Sequence, residues 1–412
     1  MENIRKMQTA DVIVIGGGVL GGAVAFYLAK QNAGRVIVLE RHSVAQGNSS
    51  LAAGLLTRGR FKPYLIPMVL ETYQAIQEIE VIIGSSLGMR QTGCLYAAFS
   101  PVHQKEVREL VSVSSQMGLR TEWLDIIEAS RRVPWLKLPR RAIAAFMPED
   151  GYIDGYSLAS GYIKAAKRLG VEIHEHTEVL SICKTGQRVT GVKTTKGDFS
   201  ASLVIDSAGV WAGMLAYELG IGFPMAPVRS HYWITVEYPL FSPLQPFVIL
   251  PDARAYARPE SHRLLFGFRE TQSVAVSPRD LPKKMNGYVF TQDPHGWESF
   301  LDGVPEFSKF FPLIEEIKIS TYIKGLSNYT PDGNFVLGAL PSLDGFLAAT
   351  GCAGAGIAMS GGIGRLVAEL ATGRTPFVDA APHRIDRFGS IDPCDPAWLQ
   401  RCADARSAKI TG

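Results

Sequence analysis

The chain has 412 residues, 46% hydrophobic and 20% charged, with 41 glycines and a formal net charge of +3. That composition is globular and long enough for two domains, and its near-neutral balance gives no ground for a nucleic-acid partner. Five scattered cysteines (Cys94, Cys183, Cys352, Cys394, Cys402) include no CxxC pair, so a metal centre lacks a ligand pattern. The polar start, MENIRKMQTA, lacks the apolar core of a secretory signal, and no run approaches the ~18 apolar residues of a membrane span. The expectation is a cytoplasmic chain with reduced thiols, Cys394 and Cys402 included.

Residues Asp11 to Arg41 carry the strongest signal: DVIVIGGGVLGGAVAFYLAKQNAGRVIVLER. A short apolar run enters Gly16-Gly17-Gly18 and Gly21, a helix-like run Ala23–Lys30 follows, and a second apolar run, Val36–Leu39, ends on Glu40. This is strand, glycine turn, helix, strand and acid, a complete dinucleotide-binding unit. Gly16 lets the chain turn off the strand, Gly18 lets backbone approach a pyrophosphate, and Gly21 lets helix and strand pack closely. The helix N-terminus offers N–H groups to phosphate, with Val19 and Leu20 in the turn before it counted among the cofactor-binding residues. Glu40 stands where a carboxylate accepts ribose hydroxyls, which disfavours a 2′-phosphate.

Further along, helices are predicted at Tyr64–Ile83, Val102–Met117 and Leu158–Leu169, and strands at Val171–His174, Val179–Cys183, Val189–Thr195 and Leu203–Ser207. Residues 225–324 alternate like an antiparallel sheet (HYWITVEY, AYARPE, RLLFGFRE), and a helix is predicted at Ile363–Thr372. The expected fold is α/β. A discontinuous Rossmann-like cofactor domain spans 8–95, 150–224 and 325–376. An inserted substrate domain with a mostly antiparallel sheet spans 96–149 and 225–324. The tail, 377–412, reads as an extended strap. Ligand would sit in the crevice between the domains.

Several patches resemble the FAD-dependent D-amino-acid oxidase superfamily, in its glycine oxidase and sarcosine oxidase branch. They are Arg41 after the acid, GNSSLAAGLL (Gly47–Leu56), TEVLSI (Thr177–Ile182), DSAGVWAG (Asp206–Gly213), YTPDGNFVLG (Tyr329–Gly338) and TGCAGAGIAMSGG (Thr350–Gly362). The resemblance spans roughly residues 10 to 390. It implies FAD held by Asn48, Ser49, Ser50, Ala52, Ala53, Gly54 and Leu55, by Val179, by Ala208, Gly209 and Trp211, and by Gly351, Gly354, Ala355, Gly356 and Ile357. A helix N-terminus after the last loop would stabilise reduced flavin.

Substrate candidates are His231, Tyr256, Arg258 and Tyr329, with Arg58 and Arg60 beside the first flavin loop. Tyr256 and Arg258 share one face of a strand, an aromatic wall with a carboxylate anchor. The departures from the resembled branch matter. Its carboxylate-binding arginines are replaced by Ser327-Asn328 and by the CAGAG loop, so glycine is not the expected substrate, and any carboxylate falls to Arg258, Arg58 or Arg60. Met359 stands about where sarcosine oxidases carry a lysine, which predicts poor reactivity with oxygen. Leu51 replaces a flavin-linking histidine, and no cysteine lies near Thr330, so FAD is expected to be non-covalent.

The expected activity is oxidation of a C–N bond in a small amine or amino acid to an imine, by hydride transfer to flavin N5. The electron acceptor is oxygen or a partner redox protein, with oligomeric state left open. The competing readings are a 2-hydroxy acid or polyol dehydrogenase, and an electron-relay subunit of a hetero-oligomeric dehydrogenase.

Overall fold

The computed structural model describes residues 8–409; residues 1–7 of the polar start and residues 410–412 of the tail lie outside the described residues. Two eight-stranded sheets organise the chain. In the first, Gln8–Ile15 lies parallel between Phe199–Asp206 and Val36–Leu39, and Glu172–His174 extends the edge beyond the latter. On the other side come Leu343–Thr350 and Val336–Leu340, with the antiparallel Val179–Thr185 and Arg188–Thr194 attached. Buried on both faces, the central strands are continuous apolar runs: Val36–Leu39 is buried at all four positions.

One face of this sheet is covered by four helices, Val19–Lys30, Ile66–Ile83, Gly155–Arg168 and Gly356–Ala371, around one apolar cluster. The last begins seven residues before the predicted Ile363. Its opening GIAMSGG has poor intrinsic propensity, and packing overrides it. A Cβ at Gly361 would lie 2.6 Å from Thr72 Cα, and one at Gly364 2.7 Å from the Ala23 carbonyl carbon. Only glycine lets this helix approach its neighbours so closely.

The second sheet runs Ile319–Tyr329, Ala226–Thr235, Arg263–Phe268, Ala255–Glu260, Phe247–Leu250, Cys94–Ala98, Ile143–Met147 and Glu122–Leu124. It is antiparallel except where Phe247–Leu250 meets Cys94–Ala98. Alternation gives it two faces. Trp233, Ala257 and Phe266 share an aromatic core with Phe268, Phe307 and Phe311. The opposite face presents Ser230, Tyr232, Tyr256, Gly267, Ser327 and Tyr329.

The tail corrects the expectation of a strap. After a turn at Ala381–His383 it forms a helix, Pro396–Ser407. Asp395 caps it by accepting the Trp398 N–H (3.2 Å), and Pro396 holds its first turn. Trp398 and Cys402 pack into a cluster with Ala226, Val228, Tyr329 and Ala353, so Cys402 is not a surface thiol. Among the described residues no helix is long and apolar enough to cross a membrane.

Candidate active site

One cavity of about 720 Å³ runs from the glycine turn to the second sheet. At its nucleotide end the strand Gln8–Ile15 delivers the chain to Gly16, whose φ of 101° is open to glycine and strained for other residues. A Cβ there would lie 2.6 Å from the Ser207 carbonyl oxygen. Gly18 precedes the first helix and gives it no side-chain cap; instead Ser49 Oγ accepts the Val19 N–H at 3.0 Å. The helix has no acid in its first turn, so its positive end faces the cavity beside Val19 and Leu20. Gly21 does not line the cavity; a Cβ there would overlap the Gly16 carbonyl, so it is a packing residue.

Glu40 organises this end. Its Oε2 accepts the Gly17 N–H and its Oε1 the His42 N–H, both at 2.8 Å. Arg41 stacks over Trp211 at 3.8 Å from the ring centroid, and both line the cavity with Val179, Ala208 and Gly209. Burial holds the Arg41 guanidinium below its usual range. Asn48 Oδ1 accepts the Leu326 N–H (2.8 Å), tying the first loop to the second sheet. Ser50 bonds back to the Gly47 carbonyl (2.9 Å) and stands off the wall.

Ala52, Ala53, Gly54 and Leu55 line the same cavity as Gly354, Ala355, Gly356 and Ile357. Gly351 turns the chain behind the wall, where a Cβ would press on Val336. The helix Gly356–Ala371 opens here without a side-chain cap and without an acid in its first turn. Two helix N-termini without an acid in the first turn, a glycine-lined wall and a fixed acid fit a flavin dinucleotide: diphosphate at the first, an electron-accepting ring at the second. Cys352 also lines the cavity, with Sγ 3.6 Å from Ser327 Oγ.

At the far end Tyr256 and Tyr329 line the cavity as expected, joined by Tyr232, Ser230 and Arg269. Burial raises all three phenols above their usual range, Tyr232 to about 12, so they remain neutral hydrogen-bond donors. Gly267 makes room opposite Tyr256, whose hydroxyl a Cβ there would overlap. Arg269 continues the alternation from Gly267, and burial pushes its guanidinium down to about 10.

Four expected substrate residues are corrected. His231 is among the residues lining the cavity, but its fully buried imidazole lies on the opposite face from Tyr232, 4.8 Å from the Trp233 ring, with Nδ1 2.9 Å from the Tyr322 hydroxyl. Burial, with Arg406 and Arg229 nearby, keeps it neutral, a structural histidine. Arg258 shares the face of Tyr256 but not the cavity. Its Nε donates to the Ala53 carbonyl (2.7 Å) and it pairs with Glu260, so it braces the flavin loop. Arg58 pairs with Glu149 (2.6 Å) and stacks on Tyr73. Arg60 is buried and donates to Thr57 and to the Gly59 carbonyl (3.0 Å). Met359 sits in the helical core, off the cavity, so the argument from it about oxygen lapses.

The residues missed are Arg269, on the second sheet, and Arg406 and Lys409, which reach the cavity from the tail helix and just past it. Arg406 donates to Glu270 Oε2 (3.1 Å) and to Ser273 Oγ (2.9 Å). Lys409 Nζ donates to the Ala353 carbonyl (2.9 Å).

A dinucleotide turn opening into a tyrosine-walled chamber between two such sheets defines a flavoprotein oxidoreductase. The chain belongs to the FAD dependent oxidoreductase family (DAO), which it matches over residues 11–370. It is 27% identical over 376 residues to 4-methylaminobutanoate oxidase (formaldehyde-forming) of Paenarthrobacter nicotinovorans, covering 91% of this chain and 45% of that protein. It is 26% identical over 408 residues to human mitochondrial sarcosine dehydrogenase, covering 98% and 44%. The chain thus spans under half the length of these two relatives. The solved structure of glycine oxidase from Geobacillus kaustophilus is similar with a TM-score of 0.77 at 26% identity, covering 94% of this chain and 100% of that one.

Proposed function

We propose that the chain oxidises the C–N bond of a small amine or amino acid, with FAD bound non-covalently along the first sheet and substrate held against the second. When bound, FAD would supply a hydride acceptor for the carbon that bears the nitrogen, and the imine product would hydrolyse in water. The observation that carries this reading is the continuity of one cavity from Gly16, Gly18 and Glu40 to the wall of Tyr232, Tyr256 and Tyr329.

The side chains contribute by binding and exclusion. The neutral phenols fix substrate orientation and keep water from the reacting carbon. The N-terminus of Gly356–Ala371 presents positive partial charge where electron density would grow. With His231 turned away, no imidazole is assigned to proton transfer. Relatives named for sarcosine and for 4-methylaminobutanoate agree with an amine donor.

The test is anaerobic bleaching of the flavin by a panel of primary amines, N-methyl amino acids, unsubstituted amino acids and 2-hydroxy acids. Bleaching by amines or amino acids is the expected result. Bleaching by 2-hydroxy acids alone would replace the amine reading with a hydroxy-acid dehydrogenase.

A further inference from the structure

The segment between the strand Arg263–Phe268 and the helix Trp297–Phe307 leaves the second sheet and reaches the nucleotide end of the cavity. Arg229 pinches its two ends together: the Arg229 N–H donates to the Val274 carbonyl (2.8 Å) and Nη1 to the Gln292 carbonyl (2.6 Å). Between these ties the segment is held from the side of the first sheet. Trp211 Nε1 donates to the Pro282 carbonyl (2.8 Å), and His42 Nε2 lies 3.3 Å from the Lys283 carbonyl, which can only accept. Met285 and Phe290 pack with Val210, and Leu51 and Trp211 close over that cluster. Lys284, Met285 and Asn286 thereby line the cavity with His42, Ser43 and Gln46.

The charges at this end give Lys284 a task. Two carboxylates, Glu40 and Glu178, line the same wall. Glu40 already accepts two backbone N–H groups, and Arg41 is stacked on Trp211. The Lys284 side chain is exposed and has no ion-pair or hydrogen-bond partner among the described residues. Its backbone is fixed by the two carbonyl ties just before it, while its ammonium is free to turn. The anionic part of FAD is the diphosphate. The glycine turn offers it N–H groups without a formal cation, and a lysine on a flexible stem binds phosphate as a point charge.

We propose that residues 278–290 form a clasp over bound FAD and that Lys284 supplies the cation for its diphosphate. Cofactor retention then depends on a segment sent across from the substrate sheet, outside the glycine-turn motif. The inference rests on the non-covalent binding of FAD in the reading above and is independent of the substrate.

Dilution of the FAD-loaded protein, followed by the rise of free-flavin fluorescence, gives the FAD Kd and release rate without turnover. Lys284→Gln should raise the Kd about 3- to 10-fold and flatten its dependence on salt, since an exposed charge contact is lost. Lys284→Arg should keep both near wild type. Trp211→Phe keeps a ring beneath Arg41 and loses the tie to Pro282, so FAD release should quicken by a similar factor. Lys284 is exposed, so its variants change charge without touching the core, and a folding defect in Trp211→Phe leaves them to decide. A Kd and salt slope unchanged in Lys284→Gln overturn the proposal. Flavin that stays with acid-precipitated protein would instead sink the non-covalent reading. Trypsin would then decide for the clasp: cleavage after Lys283 or Lys284 should be faster in Trp211→Phe than in wild type, and an equal rate overturns it.

Discussion

Replacing Glu40 with Gln tests how the nucleotide end is held. The carboxylate accepts two backbone N–H groups, from Gly17 and His42, each at 2.8 Å. A glutamine has one acceptor oxygen and one donor nitrogen, so one of the two amides must face another donor. A hydrogen bond to a charged group contributes about 1.5–3 kcal/mol, and each ~1.4 kcal/mol is a factor of ten in affinity. If the loss falls on the loop geometry that FAD requires, FAD affinity drops by about 10- to 150-fold. The assay is reconstitution of apoprotein with FAD, followed by flavin fluorescence, with Tm of the apoprotein measured in parallel. An FAD Kd within about twofold of wild type, beside a lowered apoprotein Tm, would refute the reasoning: Glu40 would then hold the loop for stability alone.

Acid precipitation should release all the flavin; yellow colour in the pellet, abolished by Cys352→Ser, would show a thioether from the thiol on the cavity wall. Gly362→Ala gains ~1 kcal/mol of helix propensity but drives a Cβ into Met68 backbone and side chain, an overpacking cost of about 1–3 kcal/mol; calorimetry should show a lower Tm, and a higher one would contradict the close packing. Arg258→Ala should weaken FAD retention through the lost tie to the Ala53 carbonyl and reduce turnover alike for substrates with and without a carboxylate; a selective KM rise for carboxylate substrates would return Arg258 to the substrate site. Asp206, buried with Oδ2 lacking a partner among the described residues, is pushed up to about 7 from 3.8. The folded chain therefore binds that proton more tightly than the unfolded one, so stability falls as pH rises from about 4 to about 7 and levels off above, by on the order of 4 kcal/mol at most. Buried Asp150 is likewise pushed up to about 7 and adds to the same slope, so Asp206→Asn should reduce that slope in urea titrations rather than abolish it, and an unaltered slope would remove Asp206 as a source.

The nucleotide end was legible because its signals are local. Gly16, Gly18 and Glu40 act within thirty residues of one another, and each has a steric or electrostatic requirement that few residue types meet. The substrate end was not, because it depends on register between strands. Arg269 follows Gly267 on the face of Tyr256 only because Tyr256 pairs with Gly267, and nothing in RLLFGFRE announces that partner. Alternation placed Arg258 on the right face yet could not show that Ala53 and Glu260 engage it. For His231, counting along the strand from Tyr232 would have turned it away had the cavity face been known. The tail is the one miss with a readable signal: Asp395-Pro396-Ala397 is a cap and first turn ahead of good helix formers. The helix at Gly356 went the other way, with tertiary packing overruling a glycine-rich sequence.

The backing of the glycine turn has a bearing on modular engineering. Gly16 is pressed against the Ser207 carbonyl, Ser207 in turn donates its N–H to the Ile15 carbonyl (3.0 Å), and Glu40 exchanges backbone bonds with His174 (3.0 Å) and Thr177 (2.8 Å). A graft of residues 8–95 onto another scaffold would carry every recognisable letter of the nucleotide motif and leave behind the strand and the turn that shape it. Flavin affinity in such a chimera should follow whether residues 172–207 travel with it, so the portable unit here is a pair of distant segments rather than a contiguous cassette.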